Sequence, residues 1–276
     1  METETQFSQR ERKGGVLLHV SSLPGKYGIG SMGEEARAFI DFLREAGFAY
    51  WQVLPLVQTD YGDSPYQSVF GASGNPYLID LDILCEEGLL KRGELAAHRR
   101  ENGGFAAFPF LRTHRIGLLR KAFSRFDRTA CDFAAFAEEG GFTDYALFMA
   151  LREKMGEGFY RWKKPFKFRD PQALGLFRRE NEEEVEFWLF VQFEFFKQWS
   201  AIKKYANDQG IRIIGDIPLY IAYDSADVWA NPQLFKLNKD PSRRKVAGVP
   251  PDYFSATGQL WGNPVYDWKA HEAEGF

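Results

Sequence analysis

The 276-residue sequence predicts an α/β fold, on the evidence of three short apolar strands and the helices between them. Strands are predicted at 16–20 and 50–54 with an amphipathic helix between them, which is the pattern of a βαβ unit with parallel strands. A third strand is predicted at 211–216. Each strand leads into an elaborate segment. Such segments form the active face of a (β/α)8 barrel, but a doubly wound sheet also places its site at the carboxyl ends of strands, so both architectures stay open at this point.

The helix after the first strand is predicted from its ends and its periodicity. Ser31 can cap it, with Glu34 three residues later as in a capping box, and Gly47 ends it. Its apolar positions recur at helical spacing: Ala36, Phe39, Ile40, Leu43 and Ala46. The segment 55–80 after the second strand is rich in glycine, proline, tyrosine, asparagine and serine, and its aromatic content favours a functional loop over a disordered one.

The middle of the chain is predicted to be mainly helical. Short helices are predicted over 86–183, and an insertion between the second and third strands is the simplest account of them. A basic and aromatic stretch at 161–165 is interpreted as a solvated loop. A long helix over 184–207 follows, with so broad an apolar face that it must be buried on most sides. Beyond the third strand, 217–263 is predicted to be a long loop.

Charge and composition argue against several classes of partner. The chain has 35 basic and 38 acidic residues, a net charge of −3, which gives no reason to expect nucleic acid or an anionic membrane as a partner. Cys85 and Cys131 lack metal-ligand spacing, so no metal is expected, and two thiols in a chain this long suggest a reducing compartment. The amino terminus lacks a signal-peptide core and no apolar run reaches the roughly 20 residues of a membrane span, so the cytoplasm is the expected location.

One motif suggests a nucleotide site, but its surroundings do not. Residues 28–33, Gly-Ile-Gly-Ser-Met-Gly, match the dinucleotide-binding pattern GxGxxG. In that pattern the first glycine directly follows the strand, whereas here Ser21–Tyr27 intervene, and no acid follows the second strand until Asp60. The glycines are therefore interpreted as serving turn geometry and helix entry, and no nucleotide cofactor is expected.

Two loops carry candidate binding residues. Residues 61–68, Tyr-Gly-Asp-Ser-Pro-Tyr-Gln-Ser, form either a set of tight turns or a neutral, hydroxyl-rich ligand site of the kind that suits a sugar. The segment 247–263 combines Gly248, paired prolines and aromatic residues, which suggests a stiffened lid hinged at the glycine. Within it, Trp261 is either a core residue or a binding residue.

Acidic residues near the third strand have different predicted roles. Asp216 ends an otherwise apolar strand, so its carboxylate either lies at a site-bearing rim or bonds to loop amides. Asp224, with Asp227 three residues later, is predicted to cap a helix.

Several motifs, taken together, resemble the amylomaltase (4-α-glucanotransferase) family from about residue 14 to the end, least between 86 and 183. They are SSLPGKYGIG at 21–30, WQVLPL at 51–56, YGDSPY at 61–66, GDIP at 215–218, DSADVWANP at 224–232 and the segment 246–263. The resemblance implies the N-terminal part of a (β/α)8 barrel of the α-amylase clan, with barrel residues at 1–85 and 184–276 and a mainly helical subdomain inserted at 86–183. It implies transfer of α-1,4-glucan segments between maltodextrins through a covalent glucosyl-enzyme without a cofactor, with maltodextrins and starch or glycogen fragments as partners.

The same resemblance implies site residues at the matching positions. Tyr61 is expected under the sugar next to the scissile bond, and Asp216 is expected to bond that sugar. The implied glucan contacts are Tyr61, Ser64, Asp216, Asp252, Gln259, Trp261 and Asn263, and the implied acceptor-side loop is Val249, Pro250, Pro251, Tyr253, Phe254 and Ser255. The family's nucleophile and acid/base are expected beyond Phe276, so no catalytic residue is assigned and the chain by itself is expected to be inactive. An α-glucan hydrolase of the same clan and a non-catalytic glucan-binding fragment are the alternatives.

Overall fold

A sheet of three parallel strands, in the order β1–β2–β3, forms the centre of the fold in the computed structural model, which describes residues 12–60 and 62–276. The strands are β1 (Gly15–Leu17), β2 (Tyr50–Gln52) and β3 (Arg212–Ile214). They are in register at Val16, Trp51 and Ile213. The three predicted parallel strands are therefore confirmed. Each is three residues long, and β1 begins at Gly15, one residue before the predicted run.

Helices are the main regular structure outside this sheet. They are α1 (Glu34–Glu45), α2 (Leu81–Glu86), α3 (Arg92–Ala96), α4 (Phe108–Phe123), α5 (Cys131–Glu138), α6 (Thr143–Met155), α7 (Lys164–Lys167), α8 (Pro171–Glu180), α9 (Glu182–Asp208), α10 (Ala226–Ala230) and α11 (Trp268–Glu274). Helix α1 joins β1 to β2 as predicted, and α2 to α9 lie between β2 and β3. Within the described residues, none of the helices has the length and apolar character that a membrane span requires.

One face of the sheet is covered and the opposite face is open. On the covered face, Trp51 is fully buried and meets the ring of Phe39 from α1 edge-on, with ring centroids 5.3 Å apart. On the other face, Leu17 and Ile214 lie on either side of Gln52 in the ladder register and are 55% and 42% exposed. Apolar strand residues normally face a core, so the exposed Leu17 and Ile214 lack the packing partners that such residues usually have.

The start of α1 differs from the prediction. Gly33, not Ser31, is the residue before the helix, and the Ser31 hydroxyl instead donates to Asp80 Oδ2 at 2.6 Å. The other oxygen of Asp80 caps α2 by accepting from the amide of Ile83 at 3.0 Å. A Cβ on Gly33 would lie 2.2 Å from Asp80 Oδ2, so this glycine is required for close approach. The structural interpretation of the glycine motif agrees with this contact.

Two buried glutamines attach the loop after β2 to helix α9. Gln192 accepts from the amide of Gly74 at 2.6 Å and donates to its carbonyl at 3.2 Å. Gln198, six residues further along the helix, does the same with Asp80, at 2.7 and 3.3 Å. Both side chains are buried, so the amides pair buried backbone groups that would otherwise lack partners. The loop that carries the candidate binding residues is thereby fixed to the core.

The segment after β3 is more structured than predicted. It contains an antiparallel hairpin of β4 (Val246–Val249) and β5 (Gln259–Pro264), so the prediction of one long loop over 217–263 is wrong. The helix α10 is capped by Ser225, whose hydroxyl accepts from the amide of Val228 at 3.3 Å. The prediction that Asp224 caps this helix is therefore also wrong, because the Asp224 side chain is used in a tertiary contact.

Candidate functional site

Asp216 lies just beyond the carboxyl end of β3, and its carboxylate is exposed. Oδ2 accepts a hydrogen bond from the Tyr66 hydroxyl at 2.8 Å, and Oδ1 accepts from the following amide, Ile217, at 2.8 Å. The bond to Asp216 raises the pKa of Tyr66. The carboxylate is thus held at the rim by one tyrosine and one loop amide, with both oxygens oriented and still open to solvent.

Tyr66 is the residue that the candidate list from the sequence omits. It belongs to the same 61–68 segment, but the implied ring under the sugar was assigned to Tyr61, which lies outside the described residues. Tyr66 is 43% exposed and 150 residues away from its partner Asp216. No local pattern links two residues so far apart, and only the parallel order of β2 and β3 places the loops after them side by side.

Asn263, at the end of β5, connects the same two loops. Its Oδ1 accepts from Gln67 at 3.3 Å, and its Nδ2 donates to the carbonyl of Ile221 at 2.9 Å. The Ser64 hydroxyl accepts from the amide of Tyr66 at 3.3 Å. Asn263 is buried and both ends of its amide are paired, so its clearest role here is to hold the loops together. Its contact with a glucan, like that of Ser64, stays a prediction.

Trp261 of β5 presents part of its indole to solvent, with 42% of the side chain exposed, which argues against a core role. Its ring lies 6.0 Å from that of Tyr220, and Tyr220 in turn stacks on Tyr266 at 5.9 Å. The indole Nε1 donates to Gln259 Oε1 at 3.0 Å, which orients both residues. A partly exposed, oriented ring of this kind offers a flat surface for a sugar face.

The turn between β4 and β5 carries the predicted acceptor-side loop. Val249 pairs with Gln259 in the hairpin, and Pro250 and Pro251 follow it. Tyr253 and Phe254 at the tip are 97% and 88% exposed, with their rings perpendicular and 5.7 Å apart. Two large rings with so much surface in water form an apolar patch of the kind found at binding sites.

The side chain of Asp252 stabilises the tip of this turn. Its Oδ1 accepts from the amides of Phe254 and Ser255 at 2.9 and 2.8 Å. The Ser255 hydroxyl donates to the carbonyl of Gly258 at 2.7 Å, which closes the turn. The tip is therefore held by its own side chains, and its rings are presented by an ordered turn.

Two half-buried carboxylates connect the region after β3 to earlier parts of the chain. Asp224 accepts from the amide of Phe159 at 2.9 Å and lies 3.5 Å from Arg152 Nη2, and burial raises its pKa. Asp227 accepts from the amide of Gly71 at 2.9 Å, and burial raises its pKa to about 6. Asp227 thus joins the loop after β2 to the region after β3, and Asp224 joins that region to the helical part of the chain between β2 and β3.

Among the contacts of the described residues, Asp216 has no carboxyl partner. The acids after β2, Asp60 and Asp63, each form an ion pair with an arginine, at 2.8 Å to Arg152 and 2.6 Å to Arg112. Retaining glycoside chemistry requires two carboxyl groups about 5–5.5 Å apart. Within the described part of the chain, no cluster of three or more histidine, cysteine or acidic side chains is placed to hold a metal ion.

Known proteins resemble this chain over almost its whole length. The sequence profile of glycoside hydrolase family 77, described as 4-alpha-glucanotransferase, matches residues 18–276. The chain belongs to this family. It is 48% identical over 265 residues to the 4-alpha-glucanotransferase of Clostridium butyricum, covering 94% of this chain and 54% of that protein. It is also 48% identical over 269 residues to the enzyme of Aquifex aeolicus, covering 96% of this chain and 55% of that protein.

The fold of the family is likewise present. The amylomaltase from Streptococcus agalactiae in complex with acarbose superposes with a TM-score of 0.88 at 40% identity, covering 96% of this chain and 55% of that one. The amylomaltase from Corynebacterium glutamicum, at 20% identity and a TM-score of 0.72, shares the fold. The family membership inferred from the motifs is therefore confirmed, and the chain spans about half the length of the curated relatives that it matches.

Proposed function

We propose that this chain supplies a glucan-binding part of a 4-α-glucanotransferase that transfers α-1,4-glucan segments between maltodextrins. The observation that carries the proposal is the pair formed by Tyr66 and Asp216 at the carboxyl ends of adjacent parallel strands. A ring and a carboxylate held together can contact the apolar face and the hydroxyls of one glucose unit. The family membership of the chain supports the same reaction.

The open face of the sheet supports a barrel as the complete architecture. Leu17 and Ile214 would point into the interior of a (β/α)8 barrel, where alternating side chains from neighbouring strands pack in layers. The proposed division follows from this: barrel residues at 1–85 and 184–276, with a mainly helical subdomain at 86–183. In such a barrel the loops after β2 and β3 lie on the catalytic face.

The proposed division of roles assigns recognition to this part of the enzyme. Tyr66 and Asp216 hold the sugar next to the bond that is cleaved, and Trp261 contacts a neighbouring glucose. The exposed rings of Tyr253 and Phe254 line the acceptor side, where an acceptor sugar must displace water for transfer to prevail over hydrolysis. The two carboxyl groups of the covalent step belong to parts of the enzyme outside these residues.

A chimeric enzyme tests the proposal. The matching segment of the Clostridium butyricum 4-alpha-glucanotransferase is replaced by this chain, and the products from maltotriose are separated by chromatography. Glucose together with longer oligomers indicates transfer, and shorter sugars alone would instead indicate a hydrolase. A folded chimera that binds maltodextrin but produces neither would favour the non-catalytic alternative.

An isosteric change in the chimera tests the site itself. Asp216→Asn should lower kcat more than it weakens glucan affinity, by about tenfold or more, because a carboxylate that contacts a distorted sugar matters most in the transition state. The matched control is Asp208→Asn, an exposed carboxylate at the end of α9 whose side chain pairs with Lys204. Equal activity in the two variants would remove Asp216 from the site.

A further inference from the structure

A basic cleft lies outside the candidate glucan site. It is formed where two segments meet, 161–169 with five basic residues and no acid, and 236–245 with five basic residues and one acid. These nineteen residues hold ten of the 35 basic residues of a chain whose net charge is −3. The cleft has a volume of about 430 Å³ and shares no residue with the candidate glucan site. Within 161–165, Trp162 is buried, so the solvated-loop prediction is wrong for that residue.

The positive charge in the basic cleft is only partly neutralised. Lys167, Arg169, Lys239 and Arg244 line it, with Asp267 as the one acid. Among the ion pairs of the described residues, Arg169 pairs with Asp144 at 2.6 Å, whereas the other three cations form none. Like charges that converge without counter-charges repel each other, and a bound anion would relieve this repulsion.

One acid of the second basic segment, Asp240, offsets part of this charge. Asp240 lies in the second basic segment and interacts with Lys167, but its Oδ1 already accepts from the amide and hydroxyl of Ser242, at 3.0 and 2.6 Å. Those two bonds close the turn at 240–242. Asp240 stays ionised, because these bonds and the charge of Lys167 lower its pKa, but the four cations still outnumber Asp240, Asp267 and Asp144.

Arg169 is held rigidly at the edge of the basic cleft. Its backbone φ is 56°, a left-handed conformation that is uncommon for a residue other than glycine. The guanidinium lies 4.2 Å from the centroid of the Trp229 ring, and Nη2 contacts Asp144. Nη1 is buried and has no hydrogen-bond partner. A fixed guanidinium loses little entropy when an anion binds near it.

Aromatic surface accompanies the charge. Phe168 is 51% exposed and lines the basic cleft, together with Trp229 and Phe235. A free phosphate would need only the cations, whereas a ring beside them suits a ligand with an attached apolar face. The volume lies within the range of small-molecule sites, about 300–1,000 Å³, and accommodates one or two sugar units.

We propose that the basic cleft binds a phosphorylated monosaccharide. Its phosphate group contacts Lys167, Lys239 and Arg244, and its sugar ring packs on Phe168. Arginine and lysine side chains form charge-assisted hydrogen bonds to phosphate oxygens, which are about twice as strong as neutral ones. This site is independent of the proposed glucanotransferase function, since none of its residues belongs to the glucan site.

Isothermal titration of the full chain at low ionic strength tests the proposal, with glucose 6-phosphate, inorganic phosphate and glucose as probes. We expect one molecule of glucose 6-phosphate to bind per chain, inorganic phosphate to bind about tenfold more weakly, and glucose not to bind. Equal affinity for the two phosphates would overturn the sugar part of the proposal. Absence of binding by both would overturn the whole.

Charge variants locate the binding. Lys239→Gln and Arg244→Gln should each weaken binding of glucose 6-phosphate by about tenfold or more, as expected for one lost charge-assisted bond. Lys204→Gln is the matched control, because it removes the same charge from an exposed position on α9. All three positions are on the surface, and unchanged melting temperatures would verify that the variants fold. Equal weakening in all three variants would show a non-specific charge effect and refute the site.

Discussion

Replacement of Gln192 by leucine is expected to destabilise the chain substantially. The amide of Gln192 accepts from Gly74 N–H and donates to Gly74 C=O, and it also donates to the Tyr145 hydroxyl at 3.0 Å. Tyr145 keeps a second bond, to Gln58, in the variant. The amide and the carbonyl of Gly74 have no second hydrogen-bond partner among the described residues. A leucine of similar size at 192 would therefore leave both groups buried and unpaired.

The size of the effect follows from these two groups. A buried donor or acceptor that loses its partner costs about 1–3 kcal/mol. Two such groups give a loss of about 2–6 kcal/mol in the free energy of unfolding, and the added apolar surface of leucine offsets about 1 kcal/mol of it. For a domain of this size, each kcal/mol shifts the melting temperature by about 2–4 °C. The net loss of about 1–5 kcal/mol therefore corresponds to a decrease of about 2–20 °C in the melting temperature.

Urea unfolding followed by circular dichroism measures this loss, and Lys203→Leu provides the control. Lys203 is exposed on the same helix, so leucine there should change the free energy of unfolding by no more than about 0.5 kcal/mol. A loss below about 1 kcal/mol in Gln192→Leu, with the control unchanged, would show that the loop does not depend on this amide.

Three further predictions concern the site, the core and the pH dependence of stability. Tyr66→Phe removes only the hydroxyl that donates to Asp216 at 2.8 Å, and it should weaken maltoheptaose binding by about 1 kcal/mol, measured by titration; unchanged affinity would contradict a role for this pair. Gly74→Ala would place a Cβ 2.0 Å from the ring of Phe195, so the free energy of unfolding should fall by about 1–3 kcal/mol in urea, and a neutral effect would show that the ring can move. Burial raises the pKa of Glu194 from 4.5 to about 7, so the folded chain retains a proton that the unfolded chain has released, and stability should fall by up to about 3 kcal/mol as pH rises from 4.5 to 7. Glu194→Gln should remove most of this slope in urea midpoints measured at pH 5 and 8, and an unchanged slope would assign it to other groups.

Local sequence signals were sufficient for the main elements of the fold. The apolar runs around Val16, Trp51 and Ile213 and the broad apolar face of α9 are burial patterns within single segments, so they predict strands and a buried helix without knowledge of their partners. The family motifs are equally local. They correctly indicated the family. The apolar run before Asp216 placed this residue at the end of a strand, and in the structure it lies just beyond β3.

Pairings between distant segments were decided only by the tertiary structure. Tyr66 and Asp216 are 150 residues apart, and Gln192 lies 118 residues from Gly74, so neither contact has a signature in either segment. The cap of α10 also depends on a distant contact. Asp224 and Ser225 are both good capping residues. Ser225 caps the helix, and the Asp224 side chain instead accepts from the amide of Phe159.

The basic cleft has the same physical origin. Its two segments are each an ordinary run of surface charge, and they lie about 70 residues apart in the sequence. Side chains of the two segments interact only after packing of Trp229 and its neighbours brings the segments together. Near-neighbour patterns were thus enough to predict the three strands of the parallel sheet, the long helix α9 and the family motifs, but they missed the hairpin of β4 and β5. The tertiary structure alone decided which side chains meet, because that depends on the closure of long loops around one core.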